Sequence, residues 1–424
     1  MERLRTLLQE RREEYIAPLL DLVSRDTQVL GHGIEGGREK NGQEYLESLL
    51  RDMGARVIRE PMEESLVEEG RKRFGEGNPG HDYTDRYNLA ATFSGGGGPS
   101  ILFDGHVDTM PPGDLGSWSL DPLKPEIRGD RLYGLGSCDM KGGLMASIMA
   151  VRLLQEAEYD LPGDVTILSV VDEEGGGNGT LGALLRGYRA DAAVVCEPTG
   201  CAITRAHMGF LFFHMVTRGV ALHSGTKWRG INAIEKNFLL TEALREMEHQ
   251  WLMEYRHPLL PSPTLNLGVI RGGTAGSTVP DSCESKICLH YLPEVMERNA
   301  VVEEVLSRLQ LRAQGDPWLR EHPPEISIYQ EGGAFEMEED HPFLDCLKTS
   351  VAWGTGKAPV VNGSAAGNDA RLLRNIGKMP TVILGPGPLE NCHMPDEWLP
   401  LDEYLQCILI YAHLIVNWTG GKKS

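Results

Sequence analysis

Two histidines and five acidic residues stand where apolar runs end or helical patterns begin. His106 and Asp108 directly follow the run ILFDG. Asp139 lies in LGSCDMKGG, just ahead of a helix-like pattern. Glu173 and Glu174 follow TILSVVD and precede GGG, Glu197 ends AAVVC, and His393 sits in the loop after TVILGPG. Open α/β sheets build their sites at the carboxyl ends of parallel strands, so these side chains are placed to converge on one crevice. Convergence without a metal would crowd like charges and force several carboxyl groups to take up protons. Two divalent cations remove that difficulty. Three coordinating carboxylates and two neutral imidazoles against two dications leave roughly one positive charge, enough to hold a hydroxide. Carboxylate oxygen mixed with imidazole suits zinc, at about 2.0–2.2 Å, and also fits cobalt or manganese.

Each of these residues has a plainer explanation when taken alone. Adjacent acids such as Glu173 and Glu174 are common on solvated helix faces, but here they follow an apolar strand. Asp139 is able to cap the next helix, which is compatible with metal binding. His106 alone reads more readily as a hydrogen-bonded structural histidine, and Glu197, before Pro198, equally as a turn residue. Their order along the chain and their shared place at strand ends favour the joint reading.

The elements that must position them follow from the apolar pattern. The runs SILFDG (100–105), VTILSVV (165–171), DAAVVC (191–196) and PTVILG (380–385) are short and continuous. Such runs suit central strands covered on both faces. A helix follows Asp139, with Leu144, Ile148, Val151 and Leu154 at near-helical spacing. Between residues 208 and 330 the order becomes strand, helix, strand, strand, helix, strand, a βαββαβ unit. Asn232 followed by Glu235 marks the start of its first helix. The fold class is therefore α/β: a catalytic domain (1–207 and 331–424) with a mostly parallel central sheet flanked by helices, carrying an inserted α+β lid or dimerisation domain (208–330). At the N-terminus, Ile16, Leu19, Leu20 and Val23 read as one stripe of a surface helix.

Composition narrows the partners. A formal charge of −20 with no Lys/Arg cluster excludes nucleic acid. No apolar run reaches the roughly 20 residues of a membrane span, and the charged N-terminus lacks a signal peptide's apolar centre. Eight scattered cysteines without a CxxC pair read as free thiols, and a cytoplasmic location is expected. Cys283 and Cys288 fall in a segment that reads as strand.

The segments GHVDTMPPGDLGSW, GLGSCDMKGG, VDEEGGGN, CEPT, GVALHSG, GINAIEK, GSAAGNDARLL and CHMPDEWLP resemble, in order, the metallopeptidase family that contains acetylornithine deacetylase and succinyl-diaminopimelate desuccinylase. The similarity runs from about Asn88 to Asp402. It implies that Asp139 bridges two zinc ions, that His106 and Glu197 complete one, and that Glu174 and His393 complete the other. It implies a carboxylate of Asp108 accepting a hydrogen bond from the His106 ring. Glu173 would be the general base, taking a proton from a metal-bridged water that acts as nucleophile. The resemblance also implies a cis peptide after Asp139. His223, in ALHSG, would reach a neighbouring subunit's site and stabilise an oxyanion, which requires a homodimer through the inserted domain. Arg371 in GNDARLL would grip a substrate carboxylate, with Asn368 beside it in the substrate-binding set.

Two positions depart from the family pattern. Ser277 stands where relatives often have Asn, and His290 where they often have Arg. Both positions belong to the substrate-binding set, and exchanging Arg for His removes a permanent charge and a bidentate fork. The expected activity is hydrolysis of the amide bond of an N-acyl amino acid or similar small amide. A dipeptidase or carboxypeptidase, or a deformylase acting on a heterocyclic amine, remains the alternative.

Overall fold

The computed structural model describes residues 1–420. The chain divides into two compact units. One comprises Met1–Arg205, Met337–Asn362 and the segment from Asn368 onward, and the other Ala206–Glu336 with Gly363–Gly367.

In the first unit the four apolar runs form the parallel centre of a sheet. Strands Gly163–Val170, Gly98–His106, Ala192–Val195 and Thr381–Ile383 lie side by side in that order, each parallel to its neighbour. Successive residues such as Ile101, Leu102 and Phe103 are all buried, as a strand covered on both faces requires. Helices Gly142–Glu156 and Leu401–Thr419 pack against strand Gly98–His106. The flanks of the sheet are antiparallel: Tyr87–Phe93 and Arg56–Pro61 on one side, Ile203–His207 on the other. The parallel strands of this sheet are the ones whose carboxyl ends carry the acidic and histidine residues.

The N-terminal segment forms two helices, Glu2–Glu10 and Arg12–Val23, broken at Arg11. Leu22 joins Ile16, Leu19 and Val23 in the buried stripe, and Leu20 is only half-buried. No helix among the described residues is long and apolar enough to cross a membrane.

The second unit contains the βαββαβ order read from the sequence: strand Gly209–Arg218, helix Ala233–Glu254, strands Thr264–Gly272 and Ser282–Tyr291, helix Arg298–Gln314 and strand Glu325–Gly332. The strands make an antiparallel sheet in the order 264–272, 282–291, 209–218, 325–332. Strand residues Leu211, Phe213, Ile287 and Leu289 join helix residues Leu244, Met247, Trp251 and Val305 in one core. Asn232 caps the first helix, its side chain accepting from the N–H groups of Ile234 and Glu235. The last strand runs past residue 330, and Phe335–Glu336 pairs with Ala206–His207. The unit therefore keeps residues 331–336, past the boundary expected at residue 330.

Candidate metal centre

The strand ends bring the dispersed residues together. His106 is the last residue of its strand, Glu173 and Glu174 follow the next strand, and Glu197 follows the strand on the other side. Asp139 enters from the turn before helix Gly142–Glu156, through a cis peptide to Met140. That helix approaches so closely that a Cβ on Gly143 would lie 1.8 Å from the carbonyl oxygen of Cys196. Only glycine lets the Asp139 turn sit against the strand end that carries Glu197.

The two oxygens of Asp139 face different histidines. Oδ1 lies 3.1 Å from His106 Nε2, and Oδ2 lies 3.3 Å from His393 Nε2. Each histidine meets one further carboxylate: His106 Nε2 is 3.5 Å from Glu197 Oε1, and His393 Nε2 is 2.9 Å from Glu174 Oε1. Two donors, each about 2.0–2.1 Å from a tetrahedral ion, lie about 3.3 Å apart. The observed spacings of 2.9–3.5 Å bracket that value. Glu173 belongs to the same cluster, its carboxylate grouped with His106 and Glu197. The donor set therefore fits two small cations sharing Asp139.

Electrostatics give the same picture. Burial works against the charge of Asp139, yet hydrogen bonds from His106 and His393 hold its carboxyl far below the usual range. Burial, with the Asp139 charge added, pushes Glu197 up to about 7. Glu173 is pushed well above an ordinary carboxyl by burial and then by Asp369. Hydrogen bonds to Asp139 and Glu174 push His393 up to about 11. In the metal-free protein the histidines hold protons that neutralise the acids, the role two cations would otherwise fill.

Supporting residues fix the turns. The His106 ring is oriented by the main-chain carbonyl of Asp108, 2.9 Å from Nδ1, whereas the Asp108 carboxylate stands 3.7 Å away. This corrects the expected carboxylate–imidazole bond. The Asp108 carboxylate instead accepts the main-chain N–H groups of Glu174 (3.0 Å) and Glu173 (3.3 Å), so it aims the acidic pair. Either acceptor leaves Nε2 free to face the cluster. Asp172, at φ 63°, turns the chain so that its carboxylate meets Arg86, His81, Tyr83 and Asn178. Glu397, unassigned by the sequence reading, is buried and accepts N–H groups from Gly136 (2.7 Å), Cys138 (2.8 Å) and Asp139 (3.0 Å). The signal was the acidic residue in CHMPDEWLP, four positions after His393.

Arg371 is buried, and its guanidinium donates to Glu76, to the Asn368 carbonyl and to the Gly176 carbonyl. Its arm braces the 176 and 368 loops. The Asn368 side chain accepts from the N–H of Ala370, the first residue of helix Ala370–Asn375. In the second unit His223 is exposed, with Nδ1 accepting from Gly225 N–H. Ser277 is exposed too, and its carbonyl accepts from Ser224 N–H. His290 is half-buried beside Cys288 Sγ at 3.4 Å, and burial lowers its pKa.

A cavity of about 270 Å³ opens beside the cluster. Asp139, Glu174 and His393 form its polar end, and Met110, Pro112, Trp118 and Met394 line its wall, with no Lys or Arg among the lining residues.

The sequence pattern that defines the peptidase family M20/M25/M40 matches residues 102–417. The chain is 32% identical over 346 residues to N-formyl-4-amino-5-aminomethyl-2-methylpyrimidine deformylase of Halalkalibacterium halodurans, covering 77% of this chain and 80% of that one. It is 31% identical over 326 residues to acetylornithine deacetylase of Vibrio parahaemolyticus, covering 75% and 80%. Its fold matches the crystal structure of a dinuclear metal binding peptidase of family M20 from Bacillus subtilis, with a TM-score of 0.67, 16% identity and coverage of 96% and 99%.

Two outcomes test the centre. Glu397→Ala leaves three buried N–H groups without an acceptor and lowers metal affinity roughly 10–100-fold, while Glu397→Gln, which keeps one carbonyl, loses less; equilibrium dialysis with elemental analysis measures both. Metal uptake also expels protons. A group whose pKa is raised to about 11, as for His393, is protonated at neutral pH and must lose its proton to coordinate, so affinity rises with pH. Calorimetric titration in two buffers of different ionisation enthalpy reads that release, and identical heats would contradict it.

Proposed function

The chain belongs to the peptidase family M20/M25/M40, and from that premise we propose that this hydrolase of amide bonds works as a dizinc enzyme that removes a small acyl group from the nitrogen of a small amine. One observation carries the two-metal part: a single carboxylate, Asp139, directs its two oxygens to two separate histidine–carboxylate pairs. The fold's likeness to a dinuclear metal binding peptidase supports it.

Asp139 is assigned as the shared ligand, His106 and Glu197 as the remaining ligands of one ion, and Glu174 and His393 of the other. Bound there, two divalent cations supply Lewis acidity to the amide carbonyl and make water acidic enough to ionise near neutral pH. Zinc suits this mixture of oxygen and imidazole, with cobalt or manganese as substitutes. Glu173 is the general base and acid. Its buried carboxyl, pushed well above the ordinary range, is suited to accept a proton from water and return it to the leaving nitrogen. Asp108 aims Glu173 and Glu174 through their main-chain N–H groups, and Glu397 holds the Asp139 turn.

On the amine side, the apolar cavity wall without a cation and the internal engagement of Arg371 favour an amine that lacks a carboxylate. The pyrimidine deformylase relative supports a formyl group on a heterocyclic amine. The acetylornithine deacetylase relatives support the second reading, an N-acetyl amino acid. We assign the enzyme to the cytoplasm, consistent with eight free thiols. We also assign it a homodimeric state through the second unit, where strand Thr264–Gly272 is an open sheet edge with exposed Leu267 and Ile270, and where Trp228 and Phe238 are exposed. In that dimer His223 stabilises the oxyanion in its partner's site.

A panel of N-formyl, N-acetyl and N-succinyl amines, amino acids and dipeptides, assayed with zinc or cobalt, is expected to be cleaved best at small acyl groups on amines without a carboxylate. Preference for dipeptides would reverse the substrate reading. Glu173→Ala should abolish turnover and retain two metals per chain, and surviving turnover would remove Glu173 from its role. Light scattering is expected to give twice the mass of the chain, with His223→Ala lowering kcat about 100-fold at unchanged mass. An active monomer would exclude that role for His223.

A further inference from the structure

The segment from His393 to Glu397 does more than carry two residues of the centre. His393, Met394, Pro395 and Glu397 line the cavity, and Asp396, at φ 57°, accepts the main-chain N–H of Ser119 at 2.7 Å. That bond pins this loop to the one carrying Trp118, which also lines the cavity. Ser119 is held in turn by Arg128, whose guanidinium donates to the Ser119 hydroxyl at 3.0 Å.

The two apolar side chains so joined differ in exposure. The Trp118 indole donates its N–H to the Pro112 carbonyl at 2.8 Å, and the residue is only 9% exposed. Its one polar atom is thus engaged by its own loop, and ring surface is what remains for a ligand. Met394, in the same lining, is 53% exposed. Its backbone is restricted on both sides, by His393 at φ 56° and by the ring of Pro395. Single exposed apolar residues are ordinary, but this one adjoins a proposed metal ligand. The acidic lining residues Asp114, Asp139, Glu174 and Glu397, with no Lys or Arg, disfavour an anion. A thioether and an indole each attract a planar ring through sulfur–aromatic and ring–ring contacts. An alkyl chain gains only the area it buries.

We propose that Met394 and Trp118 are specificity-determining residues that hold a planar aromatic ring carried by the amine of the substrate, with Asp396 as the positioning residue that keeps their loops together. This rests on the reading above, a small acyl group on an amine without a carboxylate. Such an acyl group gives the enzyme little to recognise, and the ring supplies the discrimination. Contacts made equally before and during reaction act on KM rather than kcat.

The test measures KM and kcat of the zinc-loaded full-length enzyme for N-formylbenzylamine and N-formylbutylamine, and the affinity of benzylamine and butylamine by calorimetry. The native enzyme is expected to favour benzyl over butyl roughly tenfold in KM and in affinity. Met394→Ala removes most of that preference, and Met394→Leu, which keeps bulk and loses sulfur, retains about a third of it. Trp118→Phe keeps more of it than Trp118→Leu. Asp396→Ala lowers it about threefold, and Asp396→Asn, which keeps the acceptor oxygen, restores it. Bound zinc, read by elemental analysis, stays at the native value in each variant, so the loss is one of selectivity. A native enzyme that takes butyl as readily as benzyl overturns the proposal, as does Met394→Ala with the native preference. Failure to cleave either formamide, or better cleavage of N-formylphenylglycine, counts against the reading above alone, because the two free amines still decide the ring contact.

Discussion

Concentrated negative charge at the end of a sheet is the constraint that organises this molecule. Asp139, Glu173, Glu174 and Glu197 are brought within a few ångströms of two histidines, out of bulk water. Such a group of carboxylates cannot remain ionised together without compensation. In the metal-free protein, proton-loaded imidazoles supply it, which is why His393 is pushed up to about 11 and His106 well above its ordinary value despite burial. Cations relieve the same strain more completely, and the charge that makes the cluster costly is what gives it affinity.

The fold meets that cost with backbone rather than with more charge. Glu397 gathers three N–H groups of the Asp139 turn, and Asp108 gathers those of Glu173 and Glu174. Each carboxylate fixes a ligand-bearing turn while its own charge is satisfied by hydrogen bonds. Beneath them, Arg86 binds both Glu39 and Asp172, tying the helix at 40–52 to the turn before Glu173. The proposed ligands thus keep their side chains in the cluster, while the turns that carry them are held by other groups.

Membership of the peptidase family accounts for this machinery and leaves substrate choice to other surfaces. Arg371, in the motif that pointed to carboxylate recognition, is consumed by Glu76 and two carbonyls. His290 holds no permanent charge, and burial disfavours its protonated form. The first engages the Arg371 guanidinium internally and the second leaves His290 without a permanent charge, and the cavity lining likewise contains no Lys or Arg.

The residue order alone made the catalytic elements legible. Continuous apolar runs gave the four parallel strands because a strand buried on both faces has no polar alternation to hide it. The motifs at their ends gave the cluster, since ligand types and strand-end positions are local properties. Hydrogen-bond partners are not local. That Asp108 uses its carbonyl for His106 and its carboxylate for the 173–174 turn depends on where a separate loop folds. That Glu397 reaches back across 258 positions to Asp139 could not be read from its place four residues after His393. The antiparallel flanks of the sheet, the length of the last strand past residue 330 and the burial of Arg371 were likewise decided by tertiary packing, because each turns on which distant backbone lies opposite. Sequence determined which acidic and histidine residues stand at the strand ends; the folded chain decided which groups hold them in place.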